Sequence, residues 1–196
     1  MQSLATSTTF TIPLTMKLND YIRVLPTVDK QTCEDLIETF NNNEDKRVRR
    51  SNKVQNFTEL NYNSVAPPVT MNQLCRKIRT LTQIYTDHNP TGDRFFPKRY
   101  GLEEFRIKCY NDTQDCFSPH VDVGDLNSSK RFLAFLFYLN DDFEGGNTEF
   151  RLPDKQVIKP EQGSVLMFPP TWQYPHEGRP VTAGTKFIMS TYLHYV

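Results

Sequence analysis

The sequence predicts a mostly β protein with flanking helices (α+β), and three observations carry that reading. From Glu103 onward, short β-prone runs alternate with turn residues, the texture of a sandwich or barrel. Ahead of them, two segments repeat apolar residues at helical spacing and carry helix start and stop signals. The chain has 196 residues, enough for one domain with its own buried core. The expectation is a single domain, 1–196, with helical support and a substrate loop in 1–100 and the β core in 101–196.

The first element is a short strand from Tyr21 to Leu25. A helix follows, capped by Asp29, with Cys33, Leu36, Ile37 and Phe40 on one stripe. Residues 41–66 are polar, lack either period and carry Arg47, Arg49, Arg50 and Lys53. They read as a solvated loop, with a flap or lid over a substrate as the sharper alternative. A second amphipathic helix has prolines near its first turn, places Leu74, Ile78, Leu81 and Tyr85 on one face, and stops before Asn89-Pro90. Both stripes are expected to bury against a sheet. The strands are "EEFRIKCY", "RFLAFLFYLN", "QVIKP", "GSVLMFPP" and "KFIMSTYLHYV". "FLAFLFYL" is apolar throughout, yet its aromatic content and the "LNDDFEGGN" turn after it make it a central strand.

Charge and cysteine content narrow the function classes. Lys plus Arg total 23, as do Asp plus Glu, so there is no overall basic field and nucleic acid is not an expected partner. No run of ~18 apolar residues occurs, and "MQSLATSTTFTIPLTMKLNDYI" lacks the pattern of a signal peptide. A soluble cytoplasmic protein without a membrane partner is expected. Cys33, Cys75, Cys109 and Cys116 form no C-x-x-C pair and read as free thiols, with Cys109 and Cys116 as a redox pair the sharper alternative.

The chemistry concentrates in "FSPHVDVGD", residues 117–125. On an extended segment residues i and i+2 face the same way, so His120 and Asp122 can aim a nitrogen and a carboxylate at one point. A third ligand must come from His88, His176 or His194. His88 sits at a helix end and His194 reads as a strand residue. His176 follows the strand "SVLMF", where a sandwich returns it to the mouth of the core. Two histidines and one carboxylate on one face suit non-haem Fe(II), with positions left open for a cosubstrate and oxygen.

In order along the chain come Tyr110, "HVD" at 120–122, Arg131, "YLND" at 138–141, "EGGNTEF" at 144–150, "VIKPEQGSVLMFPP" at 157–170, His176 and "RPVTAGTK" ending at Lys186. This series resembles the Fe(II)/2-oxoglutarate-dependent dioxygenases, in their prolyl 4-hydroxylase-like branch. The resemblance implies a double-stranded β-helix (jelly roll) core with the N-terminal helices packed outside. It implies His120, Asp122 and His176 as metal ligands and Lys186 as the cation for the far carboxylate of 2-oxoglutarate. Tyr110 and Thr148 match positions whose hydroxyls help hold that carboxylate, and Arg179 is the rival anion binder. Arg131 takes a structural or outer place, Gly145 and Gly146 form a turn, and Trp172 walls the site or joins the core. The implied cofactors are Fe(II), 2-oxoglutarate and molecular oxygen, with ascorbate as a reductant. The implied reaction hydroxylates an unactivated C–H bond, with a prolyl residue of a peptide or protein as favoured substrate. A free amino acid or other small molecule is the alternative, and a non-catalytic jelly-roll metal-binding protein the alternative of another class.

Overall fold

The structure, a computed structural model, describes residues 17–89, 92–111 and 114–196. Its elements run β1 (Arg23–Pro26), α1 (Lys30–Asn41), β2 (Arg47–Ser51), β3 (Gln55–Asn61), α2 (Pro68–Asp87), a single turn α3 (Gly92–Phe95) and β4 (Gly101–Leu102). They continue as β5 (Arg106–Tyr110), β6 (Cys116–His120), β7 (Arg131–Tyr138), β8 (Glu144–Gly145), β9 (Thr148–Phe150) and β10 (Gln156–Ile158). The last four are β11 (Ser164–Phe168), β12 (His176–Gly178), β13 (Val181–Ala183) and β14 (Lys186–His194).

Local chemistry sets the helices as expected. The Asp29 carboxylate accepts from Thr32 N at 2.9 Å, so α1 starts where its cap stands. Prolines open α2. The helix ends with His88 at its C-cap, while Pro90, expected to stop it, lies outside the described residues. Among the described residues no helix is long and apolar enough to cross a membrane.

One antiparallel sheet has the order β1-β11-β7-β14-β5-β3-β6-β12-β9-β10, with β2 beside β3 and β4 beside β14. It curls: β11 and β9 lie near opposite ends of that order, yet the rings of Phe168 and Phe150 meet at 5.0 Å. The curl separates two apolar cores. Outside it, Leu36 and Phe40 of α1 and Ile78 and Leu81 of α2 pack on Ile107, Phe135, Phe137, Val165, Met167 and Met189. Inside it, Tyr110, Ala134, Tyr138, Phe150, Leu166, Phe168 and Ile188 form the second core. Alternation along β7 explains why "FLAFLFYL" has no polar face. Its Phe135 and Phe137 turn to the helices, Ala134 and Tyr138 turn inward, and both sides are covered. Each of the two phenylalanines contributes about 1.5–3 kcal/mol by leaving water.

Residues 41–66 correct the loop expectation. They contain a hairpin, β2 to β3, in register from Arg47↔Leu60 to Ser51↔Asn56, and β3 pairs in turn with β5 and β6. The Asn52 side chain closes its turn by accepting from Val54 N and Gln55 N. No hydrophobic period announces this hairpin because polar residues of β3 face a cleft rather than a core. Fully buried Asp115 supplies its anchor, receiving Arg49 at 2.6 and 3.1 Å. A second, smaller correction concerns Asp122, which follows β6 rather than extending it.

Candidate metal centre

Two paired strands bring the site together. β6 ends at His120, β12 begins at His176, and their pairing sets His176 directly across from His120. Asp122 lies between them, with Oδ1 3.6 Å from His120 Nε2 and Oδ2 3.6 Å from His176 Nε2. One ligand atom from each residue falls within 4.8 Å of the others. His88 and His194 stay outside: His88 Nδ1 caps its own helix at Ile84 O, and His194 ends β14.

Each imidazole is oriented by its own backbone. His120 Nδ1 lies 2.8 Å from Ser118 O and His176 Nδ1 3.0 Å from Tyr174 O. Carbonyls only accept, so each ring carries its proton on Nδ1 and turns the Nε2 lone pair inward. Phe117 stacks on the His120 ring at 3.5 Å and Phe168 meets the His176 ring edge-on at 4.7 Å. His120 Nε2 is buried without a hydrogen-bond partner. Two lone pairs and a carboxylate converging in a largely buried pocket repel one another until a cation sits between them. The donor set of two nitrogens and an oxygen fits Fe(II).

Surrounding charges support this state. Burial by itself would raise the Asp122 carboxyl, but positive charge on the His176 and His120 imidazoles, whose part a bound cation would take once they are neutral ligands, and the Tyr192 hydroxyl outweigh it and hold it well below the usual carboxylate range. Burial lowers His176, against the pull of Asp122, and keeps it a neutral ligand. Arg131 donates to Asp122 O at 3.1 Å and forks onto Glu103 at 2.8 Å through both Nε and Nη2. That is the outer, structural place expected of it.

Lys186 lies in the same cavity as the three ligands, with Tyr110 and Thr148 on its wall. The β14–β5 register places Lys186 directly across from Tyr110, and its Nζ is 5.4 Å from the Tyr110 ring centroid. Gly146 O accepts from Lys186 Nζ. Gly146 has φ +65, and a Cβ there would come within 3.1 Å of Lys186 Cδ, so the glycine turn also makes room for the lysine. The Thr148 hydroxyl accepts from Tyr138 at 2.8 Å. No carboxylate reaches Lys186 among the described residues, and burial pushes its pKa down to about 7. Arg179 is not its rival here: it is half-exposed, pairs with Glu177 at 3.4 Å and Glu149 at 3.9 Å, and does not line the cavity. Trp172 is 75% exposed and lines neither the core nor the site.

Sequence reasoning missed Tyr192, Tyr138 and Lys108. Tyr192 and Lys186 are six residues apart on one strand, and Lys108 and Tyr110 two apart on another, so period-2 spacing from a named residue was the available signal. Lys108, Phe117, His120, Asp122, Ser190 and Tyr192 also line an outer, polar cleft of about 390 Å³ that opens onto the site.

Comparison with known proteins agrees with this geometry. Residues 105–194 match the sequence profile of the 2OG-Fe(II) oxygenase superfamily. The chain is 30% identical over 153 residues to the "Putative prolyl 4-hydroxylase" of Acanthamoeba polyphaga mimivirus, covering 74% of this chain and 57% of that protein. It is 25% identical over 176 residues to the multifunctional procollagen lysine hydroxylase and glycosyltransferase LH3 of Rattus norvegicus, covering 86% of this chain and 22% of that protein. The chain therefore spans about a fifth of the rat relative and just over half of the viral one. In structure it is similar to the viral collagen prolyl hydroxylase vCPH from Paramecium Bursaria Chlorella virus-1, solved as a 2OG complex. The TM-score is 0.68 at 19% identity over 90% of this chain and 97% of that one, a likeness of fold that bears out the jelly roll. The match to the 2OG-Fe(II) oxygenase superfamily lies across the strands that hold His120, Asp122, His176 and Lys186, and with the fold it makes that superfamily the one this chain resembles.

Proposed function

We propose that this chain is an Fe(II)- and 2-oxoglutarate-dependent dioxygenase that hydroxylates an unactivated C–H bond of a residue in a peptide or protein. The observation that carries the reading is one cavity holding both a convergent His120–Asp122–His176 group and the buried ammonium of Lys186. A jelly roll that only bound a metal would have no use for a buried lysine without a carboxylate beside it. His120, Asp122 and His176 hold Fe(II), Lys186 holds one carboxylate of 2-oxoglutarate, and Tyr110 and Thr148 flank it. When bound, the iron couples decarboxylation of 2-oxoglutarate by dioxygen, giving succinate, to insertion of one oxygen atom into the substrate.

The remaining tasks fall to the chain's own residues. Ser118 O and Tyr174 O fix the two imidazoles through their Nδ1 protons. Phe117, Phe150 and Phe168 wall the site against water. The outer cleft offers room for a peptide to approach. No side chain has to shuttle a proton, so binding, orientation and exclusion of water suffice.

A prolyl residue is the first candidate, supported by the names of the mimivirus relative and the Chlorella virus structure. A lysyl residue is the second reading, favoured by the lysine hydroxylase that matches 86% of this chain. The test is succinate formation by the Fe(II)-loaded protein with prolyl and lysyl peptides, read together with a mass gain of one oxygen on the peptide. Wild type is expected to turn over and His176→Ala to bind little iron and form no succinate. Equal turnover in both would overturn the proposal.

A further inference from the structure

The outer cleft is rich in charge, and nearly all of it is already neutralised. Arg50 and Arg106 both reach the Glu59 carboxylate, at 2.6 and 3.2 Å, and Arg106 also takes Glu104 at 2.7 Å. Arg131 is held by Glu103. These guanidinium groups have their counter-ions within the fold.

Lys108 does not. It is 7% exposed and faces inward from β5, at the junction where the inner cavity meets the outer cleft. Among the described residues no carboxylate or carbonyl lies within hydrogen-bonding reach of its Nζ. Its neighbours there are the faces of Phe57 and Phe117, with ring centroids at 5.3 and 5.4 Å. Phe117 is the ring stacked on His120, so the ammonium stands one aromatic layer from the metal centre. Aromatic faces attract a cation but replace only part of its lost hydration. A buried ammonium held this way is a site for an anion that arrives from outside.

The cosubstrate does not meet that need under the proposed function, because Lys186 takes its far carboxylate. Lys186 lines the inner cavity alone, whereas Lys108 also faces the cleft through which a substrate enters. We propose that Lys108 is a specificity-determining residue that binds a carboxylate of the substrate, carried close to the carbon that reacts. This rests on the hydroxylase reading and names the substrate class within it. The carboxylate has two chemical sources: an Asp or Glu side chain beside the target residue of a peptide, or the α-carboxylate of a chain-terminal or free amino acid. Burial depresses the Lys108 pKa, against the pull of Asp122 and Glu59, as expected of an ammonium without its counter-ion.

The experiment uses wild type, Lys108→Met and Lys108→Arg, each loaded with Mn(II) and 2-oxoglutarate so that no turnover occurs. The probes are matched pairs: acetyl-Pro-Glu-amide against acetyl-Pro-Gln-amide, acetyl-Glu-Pro-amide against acetyl-Gln-Pro-amide, and L-proline against L-prolinamide, with the lysyl counterparts of each. Equilibrium binding is read by ligand-observed NMR. Wild type is expected to prefer the carboxylate member of at least one pair about tenfold, the size of one charge-assisted hydrogen bond. Lys108→Met should erase the preference and Lys108→Arg keep part of it, while affinity for 2-oxoglutarate stays unchanged and the unfolding midpoint of Lys108→Met does not fall. Preference within the Glu pairs assigns the side-chain source; preference within the free amino acid pairs assigns the α-carboxylate. No preference in wild type, one that survives Lys108→Met, or a loss of 2-oxoglutarate affinity in that variant would each overturn the proposal. Turnover by the Fe(II)-loaded wild type is measured separately, so its absence counts against the hydroxylase reading alone.

Discussion

The Tyr192 hydroxyl donates to Oδ1 of Asp122 at 2.8 Å, tying the strand that carries Lys186 to the carboxylate at the centre of the metal site. Burial, reinforced by the Asp122 charge, raises the Tyr192 pKa well above its ordinary value, so it stays a donor throughout the working range. Tyr192→Phe keeps the ring under the Arg131 guanidinium but frees the carboxylate to rotate. The expected result is a loss of roughly 10–100-fold in Fe(II) affinity with little change in the unfolding midpoint. Metal titration of both proteins checks it, and an unchanged affinity would remove Tyr192 from the site.

Lys186 and Arg179 are separated by burial. Under the proposed function, Lys186→Ala leaves the tail of 2-oxoglutarate without a cation in a buried cavity, and a charge-assisted bond lost there costs about 1.5–3 kcal/mol, roughly 10–150-fold in affinity. Arg179→Ala acts on a half-exposed ion pair and should shift that affinity less than about threefold. Direct titration with 2-oxoglutarate ranks the two, and the reverse order would move the role to Arg179.

The ligand-free protein should become more stable as pH rises. Burial lowers Lys186 from its ordinary 10.5 to about 7. Between those values the unfolded chain holds a proton that the folded chain does not, so stability climbs across that window. Lys186→Met should reduce this slope and raise stability near pH 7, leaving the part contributed by Lys108, which is shifted in the same direction. Affinity for 2-oxoglutarate should run the other way, falling as pH passes about 7 and the ammonium is lost. Denaturant unfolding at several pH values, with and without the cosubstrate, measures both trends.

The hairpin of β2 and β3 depends on Asp115. Its carboxylate is fully buried, receives two bonds from Arg49 and also accepts from Asn111 N at 3.0 Å. Asp115→Ala strands that backbone amide and loosens β2, at about 2–3 kcal/mol because Arg49 remains partly solvated. Early proteolysis near Asn52 and a lowered unfolding midpoint are expected. Wild-type protease resistance in the variant would show that pairing with β5 and β6 suffices.

Much of the site was legible because its parts are local. The H-x-D spacing needs only two residues to aim at one point, and the ordered series from Tyr110 to Lys186 carries the family. The helices were legible for the same reason: Asp29 caps within its own turn, and the apolar stripes of α1 and α2 repeat inside one element. Free thiols also followed from spacing, and all four cysteines are unpaired.

What a chain segment does with a neighbour far along the sequence was not legible. Arg49 reads as solvent until Asp115, 66 positions away, is brought beneath it. "VRRSNKVQNFTEL" lacks a hydrophobic period because its polar residues face a cleft that exists only when β3 joins β5 and β6. Trp172 looks like a wall residue by composition, yet the turn after β11 leaves it in solvent. The sequence by itself determined His120, Asp122 and His176 as candidates for a metal and Lys186 as a candidate for an anion, because that is a property of residue type and spacing. Only the tertiary structure decided that Tyr192 holds Asp122 and that Lys108 has no carboxylate within hydrogen-bonding distance, because pairing and desolvation depend on which strands the curled sheet places side by side.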